Sequence, residues 1–260
     1  MKKIYLIVFA ALITFANLAA QSSPFIFTMT PEKFANNNFN VNFESAYGQK
    51  TFLPMGVDDL EQNIGFHTNI FENFHLLDRT GIAFTNGSTK FSQQIELLRN
   101  FLSTSNNDIL DLSAGLGYVY EFSEVNVMIS RFMLGKQFEN WQLYSNVLLE
   151  HAFAENRDAV DLTTSIGFAY NIANNIKLGF EAVGQDLEGF WEIEEAEGGA
   201  QFYIGPSLSF AIPESILNIT LGGGAIIRAT NSELISQAQR PIPIVKGNGY
   251  IVRGLVSLGF

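Results

Sequence analysis

The sequence predicts an all-β protein, a transmembrane up-and-down antiparallel β-barrel of about twelve strands. Apolar residues alternate with small or polar residues in segment after segment, which is the pattern of strands with one apolar face. Apolar residues make up 47% of the chain and charged residues 16%, yet no stretch beyond residue 20 has the length and apolarity of a spanning helix. If such a chain enters a membrane, it must do so as a closed barrel, because only closure satisfies every backbone hydrogen bond.

Residues 1–20 predict a cleaved secretory signal peptide. Lys2 and Lys3 form a basic start, residues 4–15 are apolar, and Ala19 and Ala20 are small residues suited to cleavage near Ala20. The alternative, a transmembrane helix, is disfavoured because this apolar run is shorter than about 18 residues. The chain contains no cysteine, which excludes a lipid-anchored N-terminus, disulfides and thiolate metal sites.

Residues 21–38 show no strand pattern and are rich in Phe and Asn. Two interpretations fit this segment: a periplasmic lead without regular structure, or a short plug in the lumen. The run Asn36-Asn37-Asn38 favours turns. We therefore expect the periplasmic lead and keep the plug as the alternative.

Residues 39–260 predict the barrel itself, in segments of about 10 to 15 residues, the length that a tilted strand needs to cross a bilayer. The clearest alternation runs from Val160 to Ile172, with apolar residues at nearly every second position. A bulge near Asp78-Arg79 would change the count to ten or fourteen; without one, Asp78 faces lipid. The predicted strands are 39–48, 62–71, 74–85, 90–102, 110–122, 125–136, 141–153, 160–172, 175–185, 200–212, 217–227 and 248–260.

The connections between these segments alternate in length, as they do in outer-membrane barrels, where periplasmic turns are short and outer loops are longer. With the N-terminus inside, an even strand count brings both ends of the barrel to the periplasmic side. The predicted periplasmic turns are 72–73, 103–107, 139–140, 173–175 and 213–215. The predicted outer connections are 49–61, 86–89, 123–124, 154–157, 186–198 and 230–247, which include the three longest.

The last predicted strand ends on an aromatic residue, Phe260, at the C-terminus. Together with the signal peptide and Ala20-Gln21, this pattern resembles small porin-like outer-membrane barrels of the Bacteroidota type. Residues 194–210, with Gly205-Pro206-Ser207-Leu208, also resemble putative outer-membrane transporters of the aromatic-degradation group. The resemblance implies localisation in the bacterial outer membrane, contact with outer-membrane lipid, and recognition of the terminal strand by the barrel-assembly machinery.

The polar face of each strand predicts the lumen, which is where a function would lie. Mixed charge there has two interpretations: opposed rows across a water-filled pore, or paired ions that fill the interior. Small inward residues such as Gly117, Gly167 and Gly222 leave space and favour the pore. The inward charged residues are Glu44, Arg79, Glu96, Asp111, Glu121, Arg131, Glu150, Asp161, Lys177, Glu181, Arg228 and Arg253, and all except Glu44 are the candidate lumen or constriction residues.

The predicted function is a narrow passive channel or transporter for small solutes. The alternative is a closed structural or adhesion barrel that presents acidic outer loops. Open water along the row of inward arginines would support transport. Direct pairing of those arginines with Glu96, Glu121 or Glu150 would support closure.

Two outer loops supply further candidates. The first, residues 186–198, concentrates carboxylates, among them Glu192, Glu194, Glu195 and Glu197. Its carboxylates lack the spacing of an EF-hand loop. We therefore expect a solvated extension of two strands, with no metal site or cofactor. In the second, residues 232–240 favour a helix. If this helix folds into the barrel mouth, it brings Arg240 or Lys246 to the constriction; the alternatives are that it packs over the rim or contacts a partner.

An enzyme is a less favoured prediction. The lipid-modifying outer-membrane enzymes use a His-x-Ser pair, because the base must lie beside the nucleophile. None of the three histidines of this chain has a serine two residues after it. Asp58-Asp59 has no Asp-x-His partner of the kind found in outer-membrane proteases. Nucleic acid is disfavoured as a partner, since the chain without residues 1–20 has 13 basic and 26 acidic side chains, a net charge of −13.

Overall fold

A computed structural model describes residues 23–31, 39–51, 55–104, 109–155, 157, 160–191, 199–230 and 247–260. Twelve antiparallel strands form one closed barrel, which confirms the predicted fold class and strand count. The strands are β1 (Phe39–Gln49), β2 (Asp59–Phe71), β3 (Phe74–Thr85), β4 (Ser88–Leu102), β5 (Asp111–Tyr120), β6 (Asn126–Gln137), β7 (Trp141–Ala152), β8 (Asp161–Ala173), β9 (Ile176–Gln185), β10 (Gln201–Ala211), β11 (Leu217–Arg228) and β12 (Gly249–Gly259).

Each strand pairs with its neighbours in sequence, and β12 pairs with β1 to close the ring. The closing register runs from Asn40 opposite Gly259 to Gln49 opposite Tyr250. Beyond it, the backbone N–H of Phe260 donates to the carbonyl of Phe39 at 2.9 Å. Closure leaves no strand with an unpaired edge.

In the part of the chain that the structure describes, no helix is long and apolar enough to cross a membrane.

The barrel has two different ends. We call the "turn end" the one where β2 joins β3, β4 joins β5, β6 joins β7, β8 joins β9 and β10 joins β11. We call the "loop end" the opposite one, where β1 joins β2, β3 joins β4, β5 joins β6, β7 joins β8, β9 joins β10 and β11 joins β12. The tightest connection at the loop end is Asn86-Gly87, where φ is 49° and 74°. Positive φ at both central residues defines a type I′ turn, whose twist matches that of a β-hairpin.

Bulges occur only near the turn end among the described pairings, between Asn69 and Phe71, Asn100 and Leu102, and Asn171 and Ala173. The ladder continues through Asp78 and Arg79 on both sides of β3 without a shift. This regular pairing is why the count is twelve rather than ten or fourteen.

Alternation sorts the side chains between an apolar outer surface and a polar interior. On β8, Asp161, Thr163 and Ser165 are buried inside the barrel, whereas Ile166 and Phe168 are exposed outside it. The outer surface is therefore suited to hydrocarbon, since an apolar outward band is what a lipid-facing barrel wall needs.

The interior is not uniformly polar, which corrects the expectation that the apolar residues of every strand face outward. Leu98 and Met133 pack together inside the barrel, and Ile129 packs in a separate inward cluster with Val127 and Leu148. These residues fill space between the ion pairs. Strand periodicity predicts which residues share a face. It does not predict how much of the barrel interior is filled by packed side chains.

Candidate functional site

The candidate functional site is the lumen, and its centre is a network of four charged side chains from β1, β2, β3 and β12. Arg253 contacts Glu44 at 2.8 Å and Glu61 at 3.4 Å. Arg79 contacts the same two carboxylates at 3.1 and 3.3 Å. We call this set the central network. It is neutral as a whole, and each carboxylate bridges both guanidiniums, so its members hold one another in place.

A second pair lies between β4 and β6. The Nε and Nη2 groups of Arg131 each donate to an oxygen of Glu96 at 2.9 Å, which is the bidentate geometry of a strong pair. The two strands are separated by β5, where Gly117 lies beside Glu96. A Cβ at Gly117 would lie 2.6 Å from Glu96 Cγ, so glycine is what lets the carboxylate cross β5.

A third cluster lies at the loop end. Arg157, in the connection between β7 and β8, contacts Glu121 at 3.1 Å and Asp161 at 2.8 Å. All three side chains are nearly inaccessible to solvent. Nearby, Glu188 accepts the backbone N–H of Leu162 at 2.9 Å, which fixes the short 3-10 turn at Leu187–Phe190 against β8.

Residues 23–31 lie inside the barrel rather than outside it. Phe25 is 2% exposed, and the ring of Phe27 lies 4.7 Å from that of Tyr203, between the centroids. The segment contacts Glu181 on β9 and Asn146 on β7 through its backbone. The expectation of a periplasmic lead therefore does not describe these nine residues; residues 21–22 and 32–38 lie outside the described part of the chain.

Between these groups, the lumen contains a cavity of about 210 Å³. It is bordered by the central network, by Arg131 and by carboxylates near the loop end. A second cavity of about 150 Å³ lies on the other side of residues 25–30, next to His67 and Glu44. The charged residues around the larger cavity are Glu61, Arg79, Glu121, Arg131, Glu150 and Arg253.

Several predicted lumen residues are thus brought together, and others are not. Asp111 lies at the turn end, where it accepts the backbone N–H of Thr104 at 2.7 Å and holds the turn that precedes β5. Lys177 is near the turn end of β9, and Arg228 is at the loop end of β11, where its backbone N–H donates to the Asn248 side-chain oxygen at 3.0 Å. None of these three residues borders the larger cavity. The loop candidates Glu192, Glu194, Glu195, Glu197 and Arg240 lie outside the described residues.

Two lumen residues are missing from the sequence-based candidates. The predicted second strand starts at residue 62 and leaves Glu61 in an outer connection, whereas β2 begins at Asp59. The alternation Glu61, Asn63, Gly65, His67 on one face is the signal that identifies Glu61. Arg157 lies in a connection, and no periodic signal marks a loop residue whose side chain pairs with lumen carboxylates.

The inward glycines do not provide the open space that the sequence suggested. A Cβ at Gly167 would lie 2.7 Å from the ring of Phe25, and one at Gly222 would lie 2.8 Å from Ile26. A Cβ at Gly115 would lie 2.3 Å from the Leu98 side chain. These glycines make room for other side chains and for residues 23–31.

The outward face carries a small polar cluster, formed by Asp78 and Thr80 in the middle of β3 and Gln93 on β4. Asp78 lies on the lipid-facing side, as the alternation predicted, and it accepts a hydrogen bond from the amide of Gln93 on β4. The Gln93 carbonyl in turn accepts from Thr80 at 2.6 Å. Mutual hydrogen bonding reduces the cost of placing these groups on an otherwise apolar surface.

Comparisons with known proteins define the fold. No protein-family model and no curated protein matches the sequence. The structure is similar to one described as a KdgM porin, with a TM-score of 0.58 and 8% identity over 85% of this chain and 99% of that chain. It is also similar to one described as a NanC porin, with a TM-score of 0.57 and 7% identity over 85% of this chain and 100% of that chain. At such low identity, these similarities show a shared barrel fold and nothing about substrates.

Proposed function

We propose that this protein is a bacterial outer-membrane barrel that acts as a narrow passive channel for small solutes. The observation that carries the proposal is the cavity of about 210 Å³ bordered by both guanidiniums and carboxylates. Opposed charges across a water-accessible constriction are a common way for pores to select solutes. The apolar outer surface and the fold shared with two proteins described as porins support the same function.

The same proposal includes the steps that bring the chain to the membrane. Residues 1–20 act as a signal peptide that is cleaved near Ala20, and the strand that ends at Phe260 is recognised by the barrel-assembly machinery. In the membrane the outward aromatic and aliphatic side chains contact lipid. The protein performs no chemical reaction; its lumen charges position solutes and neighbouring side chains.

A closed structural or adhesion barrel is the second candidate, and two observations favour it. Arg131 pairs directly with Glu96, which is the pairing that would indicate closure. Residues 23–31 also occupy part of the lumen. In the channel proposal, these features describe a constricted state with narrow passages; in the structural alternative, they fill the interior permanently.

Single-channel recording of the refolded protein in planar bilayers separates the two functions. We expect discrete conductance steps, and a larger step size for Arg131→Ala, because the substitution removes a bulky side chain that borders the cavity. Thr89→Ala is the matched control, since Thr89 is exposed on the outside of β4 and should leave the step size unchanged.

The absence of steps from a correctly folded barrel would contradict the channel proposal. Folding would be verified by the shift in gel migration on heating that intact barrels show. A folded wild-type barrel and a folded Arg131→Ala barrel that are both silent would favour the closed structural barrel.

A further inference from the structure

The segment 23–31 is held in the lumen mainly through its backbone. The carboxylate of Glu181 accepts three consecutive backbone N–H groups, those of Ile26 at 2.6 Å, Phe27 at 2.9 Å and Thr28 at 2.8 Å. Glu181 is completely buried. Three main-chain donors thus satisfy one buried carboxylate, and any non-proline residue can supply such a donor.

Other lumen residues extend this recognition along the segment. Asn146 accepts the N–H of Met29 at 2.7 Å and donates its own amide to the Met29 carbonyl at 2.9 Å, so it pairs with one residue in both directions. The hydroxyls of two further lumen residues donate to carbonyls at the start of the segment: Ser207 to Pro24, and Thr220 to Ser23. Donors and acceptors from β7, β9, β10 and β11 thus follow the chain from residue 23 to residue 29.

Two aromatic side chains of the segment, Phe25 and Phe27, pack into pockets of the lumen wall. Phe25 packs edge-on against Tyr144, with a centroid distance of 6.4 Å, over Gly167, where a Cβ would clash with its ring. Phe27 lies against Tyr203, and the Arg253 guanidinium carbon is 4.6 Å from its ring centroid. Backbone contacts combined with pockets for alternate side chains are how domains that bind extended peptides obtain affinity and specificity.

The segment itself forms neither helix nor strand, and its recorded hydrogen bonds to the barrel come from side chains rather than from a strand ladder. It can therefore leave without breaking any pairing of the twelve strands. Since it is attached to β1, its effective concentration in the lumen is high, of the order of millimolar for a short tether. A free peptide therefore binds weakly to a barrel whose tethered segment is native and more tightly when that segment is weakened.

We propose that the wall of β7 to β11 around Glu181 is a peptide-binding site, occupied in this structure by residues 23–31. Its ligand class is a short extended peptide with aromatic residues at two alternate positions, and the tethered segment is an intramolecular competitor for it. Peptide binding at this wall does not depend on whether the barrel conducts ions, so the two properties are tested separately.

The test measures binding of a fluorescently labelled synthetic peptide with the sequence of residues 23–30 to the refolded full barrel by fluorescence anisotropy. The barrel carries Phe25→Ala and Phe27→Ala, which weaken the tethered segment and leave the wall intact. We expect saturable binding that is at least tenfold tighter than to the wild-type barrel. Adding Glu181→Gln to this variant should weaken binding at least tenfold, since an amide offers one acceptor oxygen where three N–H groups converge.

A cross-linked variant supplies the control for a specific site. A Cβ at Gly222 would lie 2.8 Å from Ile26 Cγ1, so Ile26→Cys with Gly222→Cys places two sulfurs within disulfide reach in a chain that has no other cysteine. With the disulfide formed, the segment cannot leave, and peptide binding in the doubly alanine-substituted background should be lost and should return on reduction. The barrel without added cysteines should not respond to reductant.

Three results would overturn the inference. The first is no saturable binding to a heat-modifiable, folded Phe25→Ala/Phe27→Ala barrel. The second is equal affinity of the peptide for the barrel with and without Glu181→Gln. The third is equal affinity for the oxidised and the reduced cross-linked variant, which would indicate adsorption to detergent or to the outer surface. If the alanine variant does not fold, Ile26→Cys with Gly222→Cys in the otherwise native chain provides the test. Peptide binding should then rise when the disulfide is reduced, and an unchanged affinity contradicts the inference.

Discussion

At the scale of single residues, the lumen is governed by charges that depend on their partners. Arg131 and Glu96 are both buried, and each satisfies the other through two hydrogen bonds. An isolated buried charge is costly, whereas a matched pair roughly offsets its own desolvation. The stability of the barrel should therefore respond differently to the loss of one partner and to the loss of both.

We predict that Arg131→Ala lowers the free energy of unfolding by about 3 to 5 kcal/mol, because Glu96 is left without its bidentate partner. The double variant Arg131→Ala/Glu96→Gln should recover most of this loss, since it leaves no unpaired charge. Urea unfolding of the barrel in lipid vesicles, followed by tryptophan fluorescence, measures both. A double variant as unstable as the single one would show that Arg131 acts through packing rather than charge.

At the scale of elements, the contact between β10 and β11 is a tightly constrained part of the wall. The register pairs Ile204 with Ala225 and Ser207 with Gly222, and the intervening Gly205 and Pro206 are outside the regular ladder on this side. Proline has no N–H to contribute to a ladder. The two backbones approach closely here, so that a Cβ at Gly224 would lie 2.1 Å from the Ile204 carbonyl oxygen.

The Gly224→Ala variant should therefore be destabilised by about 1 to 3 kcal/mol, because a backbone atom cannot move aside as a flexible side chain can. Gly65→Ala is the matched control: its Cβ would lie 3.5 Å from the nearest atom, an ordinary contact, and its stability should change by less than about 0.5 kcal/mol. Both effects are measurable by the same urea unfolding. Equal stability of the two variants would mean that β10 and β11 separate readily at this point.

At the scale of the whole molecule, carboxylates exceed guanidiniums around the central lumen. The carboxylates are Glu44, Glu61, Glu96, Glu121, Glu150, Asp161 and Glu181, and the guanidiniums are Arg79, Arg131, Arg157 and Arg253. The four guanidiniums are all paired with carboxylates. This excess of carboxylates favours a negative potential in the lumen, which attracts cations.

We predict a preference for cations over anions, seen as a reversal potential of the matching sign across a tenfold potassium chloride gradient. Glu121→Gln should reduce the preference, because it removes a carboxylate that borders the larger cavity. Glu214→Gln, in the exposed turn between β10 and β11, should have little effect. High salt should weaken the preference in every variant through screening. A reversal potential of the opposite sign would show that the arginines, not the carboxylates, face the permeating ions.

The alternation along the chain predicts the strand positions to within three residues and which residues share a face, as on β8. These properties follow from the two-residue repeat of a strand, because the repeat is local and is visible in the sequence as alternating apolar and polar residues. The folded structure shows that the ladder through Asp78 and Arg79 is regular, which gives twelve strands. It also shows that Arg131 pairs with Glu96 across β5, that Glu61 pairs with Arg253, and that residues 23–31 lie against Glu181. Those contacts join residues on separate strands or across the lumen, so they depend on closure and stagger of the barrel, which no local pattern encodes.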